Sequence, residues 1–398
     1  MTRVFLGFAC AYFLAALLRA VTATLAPTFS AELGLHAAQL GLLGGAYFFG
    51  FAAMQLPLGH ALDRHGPRRV LLALTSLAVL GCAAFALATT MPTLLAARLL
   101  TGMGLAAGLM APLTYFRHCF PLAAQLRANS WMLMTGSLGM LASTLPVQWL
   151  LPVLGWRGLF WGLALALAAA MALIAWLVPP DDHLGDRRPA AAAAAAGGGY
   201  GPILRHPMFL RLAPLAVLQY GGLIAVQSLW AGPWLTTVAG LNAVQAAAGL
   251  FGINLAMLCA YLAWGAVMPR LAARGVEPLA VVRAGVPLAL VLLATAVWRG
   301  PDAGAAHWAA WCVAGSCMSI SQPALAHAFA PAQAGRALSA YNLLIFAGVF
   351  GVQWGVGLGV DALQDGGAGP VAAFRISFGG LGLLCAAAYG WFLARGRA

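Results

Sequence analysis

Long apolar runs alternate with short polar breaks along almost the whole chain. A helix that crosses a bilayer needs about 20 mainly apolar residues. Such runs fall at roughly 4–26, 38–58, 69–89, 93–116, 129–152 and 157–178. After a break they resume at roughly 209–236, 243–267, 279–298, 307–328, 337–360 and 371–393. The pattern predicts an all-α membrane protein with 12 transmembrane helices in two six-helix bundles. The bundles occupy residues 1–178 and 207–398, and 179–206 joins them. The joining segment holds Asp181, Asp182, Asp186, Arg187, Arg188, seven successive alanines and Gly197-Gly198-Gly199, the composition of a polar linker. Its alanine run could form a short helix on the membrane surface. The first apolar run is too long, at about 22 residues, for a secretion signal, and it holds Arg19 in its interior. It is expected to span.

Composition sharpens this picture. The chain is 63% hydrophobic and 8% charged, against about 25% charged residues in soluble domains. Its net charge is +12, and all 21 basic residues are arginine. Such an excess could suit nucleic acid. Here the arginines lie in short breaks between apolar runs, so no nucleic-acid partner is expected and the charge reports membrane topology. With both termini cytoplasmic, that side carries 16 arginines: Arg3, Arg64, Arg68, Arg69, Arg117, Arg127, Arg187, Arg188, Arg205, Arg211, Arg270, Arg274, Arg283, Arg336, Arg395 and Arg397. The opposite side carries 3, namely Arg157, Arg299 and Arg375, and Arg19 and Arg98 lie inside spans. The asymmetry predicts a multi-pass protein of a bacterial inner membrane.

The break between the second and third runs reads Gly59-x-x-x-Asp63-Arg64-x-Gly66-x-Arg68-Arg69. A generic basic turn explains its arginines but not Asp63 or the two glycines. This order resembles the signature loop between helices 2 and 3 of the major facilitator superfamily of secondary transporters. Arg98-Leu99-Leu100-Thr101-Gly102-Met103-Gly104 in the fourth run resembles that family's helix 4 motif. Gly155-Trp156-Arg157, between runs five and six, resembles a common turn of the family. Gly265 and Arg270 repeat Gly59 and Arg64 at an offset of 206 residues, with Pro269 in place of Asp63. The resemblance implies the family's fold, its alternating-access transport, and a binding site between the halves near the midplane. It also implies that Gly59, Asp63, Arg64, Gly66, Arg68 and Arg69 form a conformational switch. Asp63 would hold the cytoplasmic ends of the halves together when the cavity opens outward. Run five has Gly136, Gly139 and Pro146 but lacks the Gly-Pro-x-x-Gly-Gly ending of the family's drug/proton antiporters. That weighs against drug efflux.

Charges inside a bilayer are costly and mark function. All nine acids fall in breaks or at a membrane edge, so Arg19 and Arg98 have no carboxylate at their depth. On the first helix Tyr12, Ala15, Ala16, Arg19, Thr22 and Ala23 share a small and polar face suited to a cavity. Leu14, Leu17, Leu18, Val21 and Leu25 form the other face, suited to lipid. Arg98 shares a side of run four with Thr101, Gly102, Leu105, Gly108 and Pro112. Both arginines are expected at similar depth, where they could bind an anion; each could instead bond backbone carbonyls and fasten helices. In the second half Tyr220 and Gln227 (with Trp234), Ser319 (with Ser316) and Asn342 (with Gln353) could orient a solute, or could bond between helices. His327 is the histidine placed deepest in a span, and the possible proton carrier.

The seven cysteines fall in or beside apolar runs and read as small buried residues. Cys312, Cys317 and Met318 near His307 could suggest soft-metal transport, but residues five apart do not share a helix face, so no metal site is expected. There is no phosphate-binding Gly-Lys loop and no nucleophile–base constellation, so neither an enzyme nor a cofactor is expected. The chain reads as a monomeric secondary transporter whose partners are the lipid bilayer and a small solute. An organic anion is the preferred solute. The alternatives are efflux of apolar or cationic compounds, and a non-transporting sensor or assembly partner on the same fold.

Overall fold

The computed structural model describes residues 1–180 and 199–396, and all regular structure among them is helical. Most of the predicted linker, including its alanine run, lies outside the described residues. In chain order the helices are α1 (Thr2–Leu33), α2 (Ala37–Ala53), α3 (Gln55–His65), α4 (Pro67–Leu87), α5 (Met91–Leu105), α6 (Met110–Cys119), α7 (Leu122–Ala142) and α8 (Leu145–Leu177). A single turn, α9 (Gly201–Leu204), precedes α10 (Pro207–Val238) and α11 (Ala243–Ala273). Then come α12 (Pro278–Arg299), α13 (Ala305–Gly315), α14 (Ser321–His327), α15 (Pro331–Asp365) and α16 (Pro370–Ala394).

Among the described residues nine helices are long and apolar enough to cross a membrane, or ten if α2 and α3, bent by 45°, form one span. The remaining predicted runs are also helical, but in pieces. Run five is divided between α7 and the start of α8, with Ser143 and Thr144 at the break. Their hydroxyls donate to the carbonyls of Met140 and Leu141, three residues back, in place of continuing the helix. Run six is the rest of α8, beyond a kink at Gly155 whose φ of 61° a side chain would resist. There Trp156 is buried, and the Arg157 guanidinium lies 4.0 Å from its ring centroid. Run ten is α13 and α14 joined by a tighter 3₁₀ stretch, Ser316–Ile320.

The signature break is not a loop. Residues Gly59 to His65 belong to α3, and the reversal is confined to Gly66, with φ 86° and ψ 154°. Pro67 then starts α4 at a position where its missing N–H costs nothing. A Cβ on Gly59 would meet nothing within 4 Å, so close contact at that glycine is absent here.

The helices gather into two compact units, Met1–Val21 with Ala46–Gly198 and Thr22–Gly45 with Gly199–Ala398. The first packs α4 against α5 and α8, with Phe85 wedged beside Trp156 and Phe160 at 5.6 and 4.2 Å between ring centroids. Glycines bring backbones together: a Cβ on Gly102 would strike the Tyr47 carbonyl, and one on Gly104 the backbone of Ala78. The second unit is centred on Trp234, Trp308, Trp311 and Phe378 in edge-to-face contact. The outer surface carries Trp176, Trp298, Val153 and Leu383, each at least 74% exposed. Such a surface is at home in lipid and would be an aggregation hazard in water.

Candidate functional site

Between Ala11 and Ala26, helix α1 is largely buried on both faces. Leu18, Val21 and Leu25 are as buried as Tyr12, Ala15 and Ala16, which corrects the expectation that its leucine face meets lipid. The reason is position: α1 is wrapped by other helices, so its apolar face packs on protein.

Arg19 is half-buried on this helix. Its guanidinium carbon lies 5.4 Å from the ring centroid of Phe51, and its charge interacts with the side chains of Tyr12 and Tyr47. Its Nε is enclosed with no hydrogen-bond partner. It makes no ion pair among the described residues. Arg98, on α5, is 1% exposed. Its guanidinium carbon lies 5.7 Å from the Tyr47 ring centroid and 5.6 Å from that of Phe85, and Nη1 reaches the Leu18 carbonyl at 3.5 Å. Both cations therefore bear on Tyr47. Arg98 is sealed in the packing of α1, α2, α4 and α5, and Arg19 is the more accessible of the two. Neither Tyr47 nor Phe51 stood out in the sequence, because α2 is apolar all round and offers no polar periodicity. An aromatic residue one or two turns from another on a helix facing an intramembrane arginine was the available signal.

The polar candidates of the second half all lie in the second unit, and several bond neighbouring side chains or carbonyls there. Tyr220 and Gln227 sit in π-helical turns of α10, at Ala216–Tyr220 and Val226–Trp230. Such wider turns shift side-chain direction and often mark functional positions. Gln227 donates to Asn254 at 2.9 Å. Ser319 donates to the Ser316 carbonyl at 2.8 Å, while the Ser316 hydroxyl accepts from Trp264. Asn342 accepts from Gln322 at 2.7 Å. Gln353 is fully buried and donates to Ser228, and its carbonyl accepts from Trp230. The helix of His327 ends at that residue, which is exposed.

Asp63 is exposed in the last turn of α3 and bonds nothing among the described residues. Arg68 donates to the Ala175 carbonyl at 2.8 Å. His307, near Cys312, bonds the Leu292 carbonyl. No group of three His, Cys, Asp or Glu side chains is placed to hold an ion among the described residues. Cys10, Cys119 and Cys259 are exposed at the surface, contrary to the expectation that every cysteine is buried.

A family model described as Major Facilitator Superfamily matches residues 8–352. The chain is 31% identical over 137 residues to the 4-hydroxybenzoate transporter PcaK of Acinetobacter baylyi, covering 34% of this chain and 30% of that protein. It is 28% identical over 156 residues to the probable sulfoacetate transporter SauU of Cupriavidus necator, covering 39% of this chain and 36% of that protein. The matched segment thus spans about a third of these curated relatives. Among solved structures, a bacterial homologue of the human lysosomal transporter Spinster, in an inward-facing and occupied conformation, superposes with a TM-score of 0.74 at 17% identity. That match covers 99% of this chain and 96% of the other. The nucleoside transporter NupG superposes with a TM-score of 0.76 at 14% identity over 99% of both chains.

Proposed function

The chain belongs to the Major Facilitator Superfamily of transporters, and from that premise we propose that its solute is a small organic anion moved by alternating access across a bacterial inner membrane. The observation that carries this reading is Arg19. A guanidinium inside a bundle is stable only with a compensating partner. Aromatic faces and tyrosine hydroxyls supply part of that compensation. Its enclosed Nε has no hydrogen-bond partner, so these groups leave the burial of the guanidinium incompletely compensated. A carboxylate or sulfonate accepts two parallel N–H bonds from a guanidinium, a geometry that Lys cannot copy. The names of two relatives support the same class, since 4-hydroxybenzoate and sulfoacetate are both organic anions. The Phe51 and Tyr47 rings beside Arg19 suit an aromatic acid in particular. Arg98, deeper in the packing, takes the supporting part of holding Tyr47 and α1 in place.

Thermal unfolding of the purified protein tests this, because a ligand bound to the folded state raises the melting point. Benzoate, 4-hydroxybenzoate and sulfoacetate are expected to stabilise the native protein. Arg19→Lys should weaken the effect by roughly tenfold in ligand concentration, the scale of one charge-assisted hydrogen bond. Arg19→Gln should abolish it. Stabilisation by neutral or cationic compounds alone, together with normal transport by Arg19→Gln, would overturn the anion reading.

A further inference from the structure

Asp361 lies in the last turns of α15, and its carboxylate accepts hydrogen bonds from the backbone N–H of Ala37 at 3.0 Å and of Ala38 at 2.8 Å. It also pairs with Nδ1 of His36. Those three residues are the cap and first two positions of α2, so an acid more than 300 positions away in sequence serves as this helix's N-terminal cap. Two free N–H groups and the positive end of the helix dipole make that the favourable place for a carboxylate. Around it α2 and α15 run antiparallel at backbone contact. A Cβ on Gly357 would strike the Ala37 carbonyl, one on Gly41 the Gln353 carbonyl, and one on Gly45 the Phe350 ring.

We infer that Asp361 is a latch that holds the starts of α2 and the end of α15 together at the arginine-poor face. Its three bonds exist only while the first turn of α2 lies against the last turns of α15, and they break together when α2 moves away. The neighbouring packing gives the bonds their direction: the glycines let the helices close until the carboxylate reaches the N–H groups, and no closer. Asp63, at the end of α3 on the arginine-rich face, has the same chemistry and bonds nothing among the described residues. The two acids sit at the C-terminal ends of helices, where their own helix dipoles offer no support, so each is stable chiefly on the N-terminus of another helix. The engaged Asp361 and the disengaged Asp63 are then two settings of one device. The latch rests on the transport reading for its purpose alone.

Spin labels at Ala31→Cys and Gln364→Cys, both exposed positions, placed in a cysteine-free full-length chain in lipid nanodiscs, read the separation at this face without any solute. Asp361→Asn is expected to raise the separated population on the order of tenfold, the factor for losing hydrogen bonds to a charged acceptor. Ala37→Pro removes one donor at a position where proline suits a helix, and should act in the same direction with smaller effect. Asp365→Asn, one turn further on and exposed, should leave the parent distribution. Unchanged distances in both Asp361→Asn and Ala37→Pro, or an equal shift in Asp365→Asn, would refute the latch. If anions fail to stabilise the protein, the anion reading falls while these distances still decide the latch.

Discussion

At the scale of single residues, the chain places its charges by what can satisfy them. Arg19 sits against rings and hydroxyls, Arg98 against rings and one carbonyl, and Asp361 on a helix start. Asp63 differs from these: it is exposed and bonds nothing among the described residues. A carboxylate at the C-terminal end of its own helix gains nothing from that dipole. We propose that its value lies in a setting of the molecule where it meets a helix N-terminus, as Asp361 does here. Asp63→Asn is therefore expected to insert and fold normally, since no bond is lost, and to impair transport. Protein level in the membrane and uptake into vesicles check the two halves of that statement. Transport at the parent rate would remove Asp63 from the mechanism. Intramembrane arginines were legible from the sequence because charge is so rare in these runs. The tyrosine and phenylalanine around them were not, because aromatic residues in an apolar helix look the same whether they face lipid, core or a cation.

At the scale of elements, apolar run length was enough to find the helices, and it was blind to their interruptions. The bend between α2 and α3 at Met54, the break at Ser143-Thr144 and the 3₁₀ stretch at Ser316–Ile320 lie inside continuous apolar sequence, and at the second of them the two hydroxyls bond carbonyls three residues back. The signature motif misled in the other direction. Its charge suggests a loop, yet helix α3 continues through Asp63 to His65, because only Gly66 needs a backbone that other residues avoid. The leucine face of α1 was assigned to lipid because periodicity distinguishes faces but not their neighbours. The glycines of the helix 4 motif have a definite task that spacing could only suggest. Gly102 lets α5 approach the backbone of α2 at Tyr47, the residue on which both arginines bear. Gly102→Ala should cost about 1–3 kcal/mol by overpacking. Gly162→Ala, where a Cβ meets nothing within 4 Å, should be neutral or stabilising by up to about 1 kcal/mol. Melting points of the two variants, measured side by side in detergent, check the contrast. Equal effects would mean that the α2–α5 approach is not fixed by Gly102.

At the scale of the whole molecule, the sidedness of the bilayer decides what each latch and each arginine faces. The 16 arginines assigned to one side and the 3 assigned to the other come from the sequence, and several of those in the described residues lie at or near helix ends and turns. Arg64, Arg68 and Arg69 flank the α3–α4 turn, and Arg270 and Arg274 end α11. Arg157 follows the kink in α8, and Arg299 ends α12. Arg375 lies in the first turns of α16, where it bonds the carbonyls of Val297 and Trp298. Arginines resist transfer across the bilayer during insertion, so the rich side is expected to stay in the cytoplasm. A cytoplasm-specific reporter fused after Gly199 is therefore expected to be active, and a periplasm-specific one silent. The same pair of reporters in the α12–α13 turn, after Ala303, should give the reverse result. If the reporter after Gly199 instead works only in the periplasm, the Asp361 latch would guard the cytoplasmic face and Asp63 the outer one, and the direction in which each opens the pathway would invert.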